Sequence, residues 1–195
     1  MRDADGLWTN RLYGETFRSL TPPHGLVGVV HVLRRALDDR RGELERETAD
    51  VLARLVVRED ELANWPAREG GEPRHLQWCN GAPGIVIAAG DYLAEELLVA
   101  AAELIWRAGP PGMDKGSGIC HGTAGNRYAF LKVLERTGDE LWLDRARRFA
   151  VHALGQVERR GEGRYSLWTG DVGVALFAAD CIEGVGRYPI LDAWD

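Results

Sequence analysis

Trp78-Cys79-Asn80-Gly81-Ala82-Pro83-Gly84 and Gly118-Ile119-Cys120-His121-Gly122-Thr123-Ala124-Gly125-Asn126 share one layout: a cysteine stands two residues ahead of a Gly-x-x-Gly pair, and an apolar run follows. The pair recurs without cysteine at Gly25/Gly28 and Gly170/Gly173, so the four pairs start 56, 41 and 48 residues apart. Spacing of that size marks a repeated supersecondary unit. Apolar stretches follow each pair, at Val29 to Leu37, Ile85 to Ala89, Tyr128 to Leu134 and Val174 to Cys181. After the first three comes a second segment with helical periodicity and charges on one face: Glu43 to Val57, Tyr92 to Trp106 and Glu140 to Val157. The unit is a glycine turn, an apolar inner helix and an amphipathic outer helix.

Ala, Leu, Glu and Arg dominate the periodic segments, in keeping with helix propensity, and strand signals are nearly absent. The expected fold class is all-α, built of helical hairpins whose glycine-rich turns sit at the N-termini of the inner helices. A stack of such hairpins is either an open solenoid or a closed toroid. In both, the four turns share one end of the inner layer, which brings Cys79 and Cys120 together across 41 residues of sequence. The charged, Gly- and Pro-containing stretch from Arg58 to Gln77 reads as one long surface loop.

The 195 residues suffice for one well-cored domain or a piece of a larger one. With 24 Lys and Arg against 30 Asp and Glu, the net charge of −6 argues against nonspecific nucleic-acid binding. No apolar run reaches the ~18 residues of a membrane span. The polar start Met1-Arg2-Asp3-Ala4-Asp5-Gly6 lacks the apolar core of a signal peptide. Three cysteines are an odd number for a disulfide framework, and a cytoplasmic protein is expected.

Cys79, Cys120 and His121 form a candidate Cys₂His site. Three protein ligands with a fourth position open is the arrangement in which zinc does chemistry. Two thiolates and a neutral imidazole leave bound zinc nearly neutral, so a substrate thiol can take the open position, lose its proton and stay nucleophilic. Against this stands the ordinary role of a lone cysteine as a small core residue, the reading adopted for Cys181 within Ala178-Ala179-Asp180-Cys181-Ile182.

These motifs, in this order, resemble the lanthionine synthetase C-like (LanC-like) proteins: His24-Gly-x-x-Gly, Trp78-Cys79-x-Gly-x-x-Gly and Cys120-His121-Gly-x-x-Gly-Asn. The resemblance runs from about Leu12 to the C-terminus. It is closest to the eukaryotic-type branch, through Gln77-Trp78-Cys79, Ile105-Trp106 and Gly125-Asn126-Arg127-Tyr128-Ala129-Phe130-Leu131. It implies an α/α toroid with zinc held by Cys79, Cys120 and His121. The implied reaction is addition of a thiol to dehydroalanine or dehydrobutyrine. In lantibiotic cyclases the thiol is a peptide cysteine; in the eukaryotic-type branch it is glutathione. His24 would be the acid that protonates the enolate, and Lys115 and Arg164 would contact glutathione.

The chain also departs from the family. It starts where the family is about halfway along, so a single domain over residues 1–195 would lack the N-terminal hairpins, and four inner with three outer helices would leave the toroid incomplete. Ser166-Leu167-Trp168-Thr169-Gly170 stands where the family has Ser-Leu-Phe-Glu-Gly. The expected alternatives are a noncatalytic zinc- and glutathione-binding fragment, a homo-oligomer that completes the ring, and a plain helical-repeat interaction protein.

Overall fold

The computed structural model describes residues 3–12 and 14–192. The expectation of one domain over 1–195 therefore extends at both ends to residues outside that range. Seven α-helices carry the described structure: α1 (Leu26–Ala36), α2 (Arg41–Leu55), α3 (Ala82–Ala89), α4 (Glu95–Ala108), α5 (Thr123–Thr137), α6 (Leu141–Arg160) and α7 (Asp171–Glu183). The inner helices α1, α3, α5 and α7 pack side by side in chain order. The outer helix α2 backs α1, α4 lies behind α3 and α5, and α6 lies behind α5 and α7. Inner helices α3 and α5 are buried around most of their circumference, as a helix between two layers must be. The outer helix α6 exposes Val151 and Leu154 and buries Trp142, Ala146, Phe149 and Ala153.

Each inner helix begins earlier than its apolar run. The first glycine of every pair is the residue before the helix, and the second lies inside the first turn. The reason is a regular backbone contact. A Cβ on Gly84 would lie 1.9 Å from the carbonyl oxygen of Trp78, and one on Gly125 would lie 1.7 Å from that of Ile119. Gly28 and Gly173 stand in the same relation to Pro22 and Leu167, six residues earlier in every case. The loop entering each helix is thus laid directly across its first turn, and only a residue without Cβ leaves room.

This path also serves the helix ends. None of these helices is capped by the side chain of its own N-cap residue, which is glycine in each. Instead, loop carbonyls accept the amides that an N-terminus leaves unpaired. The N–H groups of Leu26, Thr123 and Asp171 donate to the carbonyls of Ser19, Gly116 and Arg164 at 2.9, 3.1 and 2.9 Å. In the second repeat the Asn64 side chain does this work, its Oδ1 accepting from Ala82 N–H at 2.7 Å.

Two expectations need correction. Strands are present: β1 (Asn10–Leu12) pairs with β2 (Glu15–Phe17), and β3 (Val57–Glu59) with β4 (Leu62–Asn64), both antiparallel. The stretch from Arg58 to Gln77 is therefore not a surface loop throughout. Its hairpin packs against α4, and Ala63 and Trp65 are buried in the core. Trp65 also donates its indole N–H to the Leu52 carbonyl at 2.8 Å. Three-residue strands are too short for their alternation to register against charged neighbours.

After α7 the chain turns back over the inner layer. The Asp192 carboxylate lies 3.2 Å from His31 Nε2 on α1 and makes ion pairs with Arg35 on α1 at 3.1 Å and Lys132 on α5 at 3.3 Å. Despite burial, the hydrogen bond from His31, the charge of Lys132 and the Tyr188 N–H hold its carboxyl down at about 2. At the edges of the inner layer, apolar side chains remain exposed one turn apart: Val29 and Val32 on α1, Val172 and Leu176 on α7.

Gly125→Ala forces a methyl group onto the Ile119 carbonyl and is expected to cost about 3 kcal/mol. That corresponds to a drop of roughly 6–12 °C in Tm. Gly155→Ala on α6, where the nearest neighbour is the flexible end of Arg159 at 3.2 Å, should melt at or slightly above wild type. Equal melting of the two variants would refute the close approach as the reason for glycine.

Candidate metal centre

The four glycine turns meet along one rim. Space for a Cβ on Gly84 is blocked by the Pro22 ring as well as by Trp78, and space on Gly173 by the Ile119 side chain. Backbone bonds join the turns further. Cys120 N–H donates to the Trp168 carbonyl at 2.9 Å, and Cys79 N–H donates to the Cys120 carbonyl at 3.4 Å. Within the second turn, Gln77 and Asn80 exchange N–H···O bonds of 2.8 and 3.0 Å, which puts Cys79 at the tip of a tight bend.

Asn126 on α5 fixes that bend to the next repeat. Its Oδ1 accepts the Trp78 N–H at 3.1 Å, and its Nδ2 donates to the Leu76 carbonyl at 2.8 Å. Trp78 stacks on two rings, those of Trp168 and Tyr188, with centroids 5.1 Å apart in each case. Both cysteines are therefore mounted on backbone that is held from several directions.

The ligand atoms of Cys79, Cys120 and His121 all lie within 4.8 Å of one another, and all three residues are half-buried. In a tetrahedral zinc site with Zn–S near 2.3 Å, sulfurs stand about 3.8 Å apart, so the three donors need only a small contraction to fit. All three cysteines are free thiols. A hydrogen bond from the Cys120 thiol, with help from the Asn80 amide at 3.6 Å and the Lys115 charge, brings the Cys79 thiol down to about 7. The same pairing pushes the Cys120 thiol up. Two adjacent sulfurs that oppose each other's ionisation suit a soft cation, which pairs with both as thiolates. Cys181, by contrast, is buried in α7, and desolvation pushes its thiol up to about 12, as befits a packing residue.

The other sequence candidates fall on the same rim or beside it. His24 is exposed in the first turn, two residues after the Pro22 that packs on Gly84. Lys115 is exposed in the turn Gly112–Gly116, close enough for its charge to act on Cys79. That loop is pinned from beneath: Arg127 donates to the Gly109 carbonyl, and Gln156 Nε2 donates to the Pro111 carbonyl at 3.0 Å. Burial without an anionic partner lowers the Arg127 guanidinium to about 9, while the Phe149 ring lies 4.3 Å from its carbon. Arg164 is exposed, and its backbone N–H donates to Asp171 Oδ2 at the start of α7. Asn126, Trp168 and Tyr188 were not singled out by sequence as site residues. Asn126 could have been noticed as a polar residue inside an otherwise apolar helix start; Tyr188 carries no local signal.

Asn126→Ala removes the partners of a buried N–H and a buried C=O. It is expected to cost about 2–3 kcal/mol and to lower Tm by roughly 4–12 °C, with a change in tryptophan fluorescence as Trp78 loosens from its stack. Unchanged melting and emission would show that the turn holds itself.

The family profile described as Lanthionine synthetase C-like protein matches residues 3–190. Glutathione S-transferase LANCL1 of Danio rerio is 30% identical over 176 residues, covering 82% of this chain and 42% of that protein. LanC-like protein GCL1 of Arabidopsis thaliana is 29% identical over 190 residues, covering 85% of this chain and 41% of that protein. The chain thus spans under half the length of these relatives. By the extent of the profile match, this chain belongs to the lanthionine synthetase C-like family.

Proposed function

We propose that this chain is the zinc-binding portion of a LanC-like α/α toroid, a single domain that adds a thiol to dehydroalanine or dehydrobutyrine in the cytoplasm. The observation that carries the proposal is the convergence of Cys79, Cys120 and His121 donors on one rim of the inner helices. Zinc held by these three residues would supply the Lewis acidity that keeps an incoming thiol deprotonated near neutral pH.

The chain's own groups have distinct tasks. Lys115 and Arg164 would attract the carboxylates of glutathione, the thiol favoured because one relative is named for glutathione transfer. A peptide cysteine is the alternative thiol. As sulfur bonds to Cβ of the dehydroamino acid, the electron pair of the double bond moves toward the carbonyl, and Cα then takes a proton. His24, exposed in the first turn, is the proposed donor. Nothing leaves, so the product mass is the sum of the two reactants. The exposed edges of α1 and α7 fit further hairpins, from additional chain or from a second copy, that complete the ring.

A second reading is binding of zinc and glutathione without turnover, favoured by Thr169 standing where the family motif has glutamate. One experiment separates the two: zinc-loaded protein is mixed with glutathione and a dehydroalanine peptide, and the adduct is followed by mass. The expected result is adduct forming well above the uncatalysed rate, lost in Cys120→Ala and slowed in His24→Ala with zinc retained. Zinc binding with only background adduct would select the noncatalytic reading.

A further inference from the structure

We propose that Tyr188 is a positioning residue of the metal centre, through which the segment after α7 sets the spacing of the two cysteine turns; this rests on the zinc-site reading above. Tyr188 is fully buried, and it touches the residue before each cysteine. Its ring stacks on Trp78, which precedes Cys79, with centroids 5.1 Å apart and planes 13° from parallel. Its hydroxyl donates to the carbonyl of Ile119, which precedes Cys120, at 2.7 Å. A single side chain from the C-terminal segment therefore spans the two turns.

That span fills a weak place. The direct backbone link between the turns, Cys79 N–H to the Cys120 carbonyl, is 3.4 Å long, near the limit of a hydrogen bond. Trp168 supports the same pair as well, through its ring on Trp78 and its carbonyl, which accepts the Cys120 N–H. Tyr188 also meets the edge of Tyr128 on α5, with centroids 5.1 Å apart at 71°. With Trp78 stacked on both rings, the Tyr188 hydroxyl adds a tie from the same side chain to Ile119, and so to the placement of Cys120 relative to Cys79.

Tyr188 is itself fastened. Its N–H donates to Asp192 Oδ2 at 2.9 Å, and Asp192 N–H donates back to its carbonyl at 3.0 Å. The Asp192 carboxylate in turn pairs with His31, Arg35 and Lys132 on the inner helices α1 and α5. The segment is anchored to the layer whose turns carry the ligands, so its effect on the cysteines is passed through fixed geometry. Groups that hold metal ligands in place in this way typically change metal affinity by about 10–100-fold when removed.

The test is Tyr188→Phe, which keeps the ring and loses only the bond to the Ile119 carbonyl, with Asp192→Asn as a second variant that loosens the anchor away from the centre. Zinc affinity is measured by competition with a chromophoric chelator, and the cobalt-substituted proteins are compared by their ligand-field and sulfur-to-cobalt absorption bands. The expected result is a roughly 10–100-fold weaker zinc affinity in Tyr188→Phe, with shifted cobalt bands and unchanged far-ultraviolet circular dichroism. Asp192→Asn should give a smaller shift in the same direction. Wild-type affinity and bands in both variants, with binding abolished by Cys120→Ala, would overturn the role of Tyr188 and leave the zinc site standing. Failure of wild type to bind zinc or cobalt would overturn the site itself.

Discussion

Contact between the first turn of an inner helix and the carbonyl six residues ahead of it governs the rest of the structure. Hydrogen-bond demand at the helix N-terminus draws the loop close, because buried amides left unpaired cost about 1–3 kcal/mol each. Steric exclusion then admits only glycine where the loop crosses, at Gly28, Gly84, Gly125 and Gly173. Since every repeat enters its helix by the same path, the residues just before each glycine pair arrive at one rim. Cys79 and Cys120 occupy equivalent positions in successive repeats, and their meeting follows from the repeat geometry.

The rim is polar in its backbone and apolar in its support. Trp78, Trp168 and Tyr188 stack beside the two cysteine turns, while Cys79, Cys120 and His121 remain half-buried. Partial burial makes the thiol pair sensitive to nearby charge, and the Lys115 loop provides it. That loop hangs on Arg127, a guanidinium with no acidic partner in reach of a bond among the described residues. Its charge is carried instead by backbone carbonyls and the Phe149 ring. Such an arrangement leaves a cation buried at a cost, and its position directly under the Gly109 turn ties that cost to the shape of the rim.

Much of this was legible in the sequence because glycine pairs recurring at helical-hairpin spacing point to one architecture, a stack of hairpins entered by tight turns. The inner and outer helices, the order of the repeats and the pairing of Cys79 with Cys120-His121 all follow from that periodicity and its placement of turns. The helix starts were misread by about a turn: apolarity suggested that Val29 or Ile85 began the helix, whereas backbone bonding begins it right after Gly25 and Gly81. The β3–β4 hairpin escaped notice since half of Val57 to Asn64 is charged, and within its two strands only Ala63 is buried. Tyr188 was illegible for a different reason. Its role depends on a long-range return of the chain to the inner layer, which no local pattern around Gly186-Arg187-Tyr188-Pro189 encodes.

The chemistry of the rim depends on whether Cys79, Cys120 and His121 bind metal as a set. Zinc per chain in purified protein, freed of loose metal by brief chelator washing, addresses this most directly alongside the Cys120→Ala variant. About one zinc per chain in the wild type, absent from a variant that stays folded, is the predicted result. Folded wild-type protein without zinc, unable to take it up under reducing conditions, would contradict it.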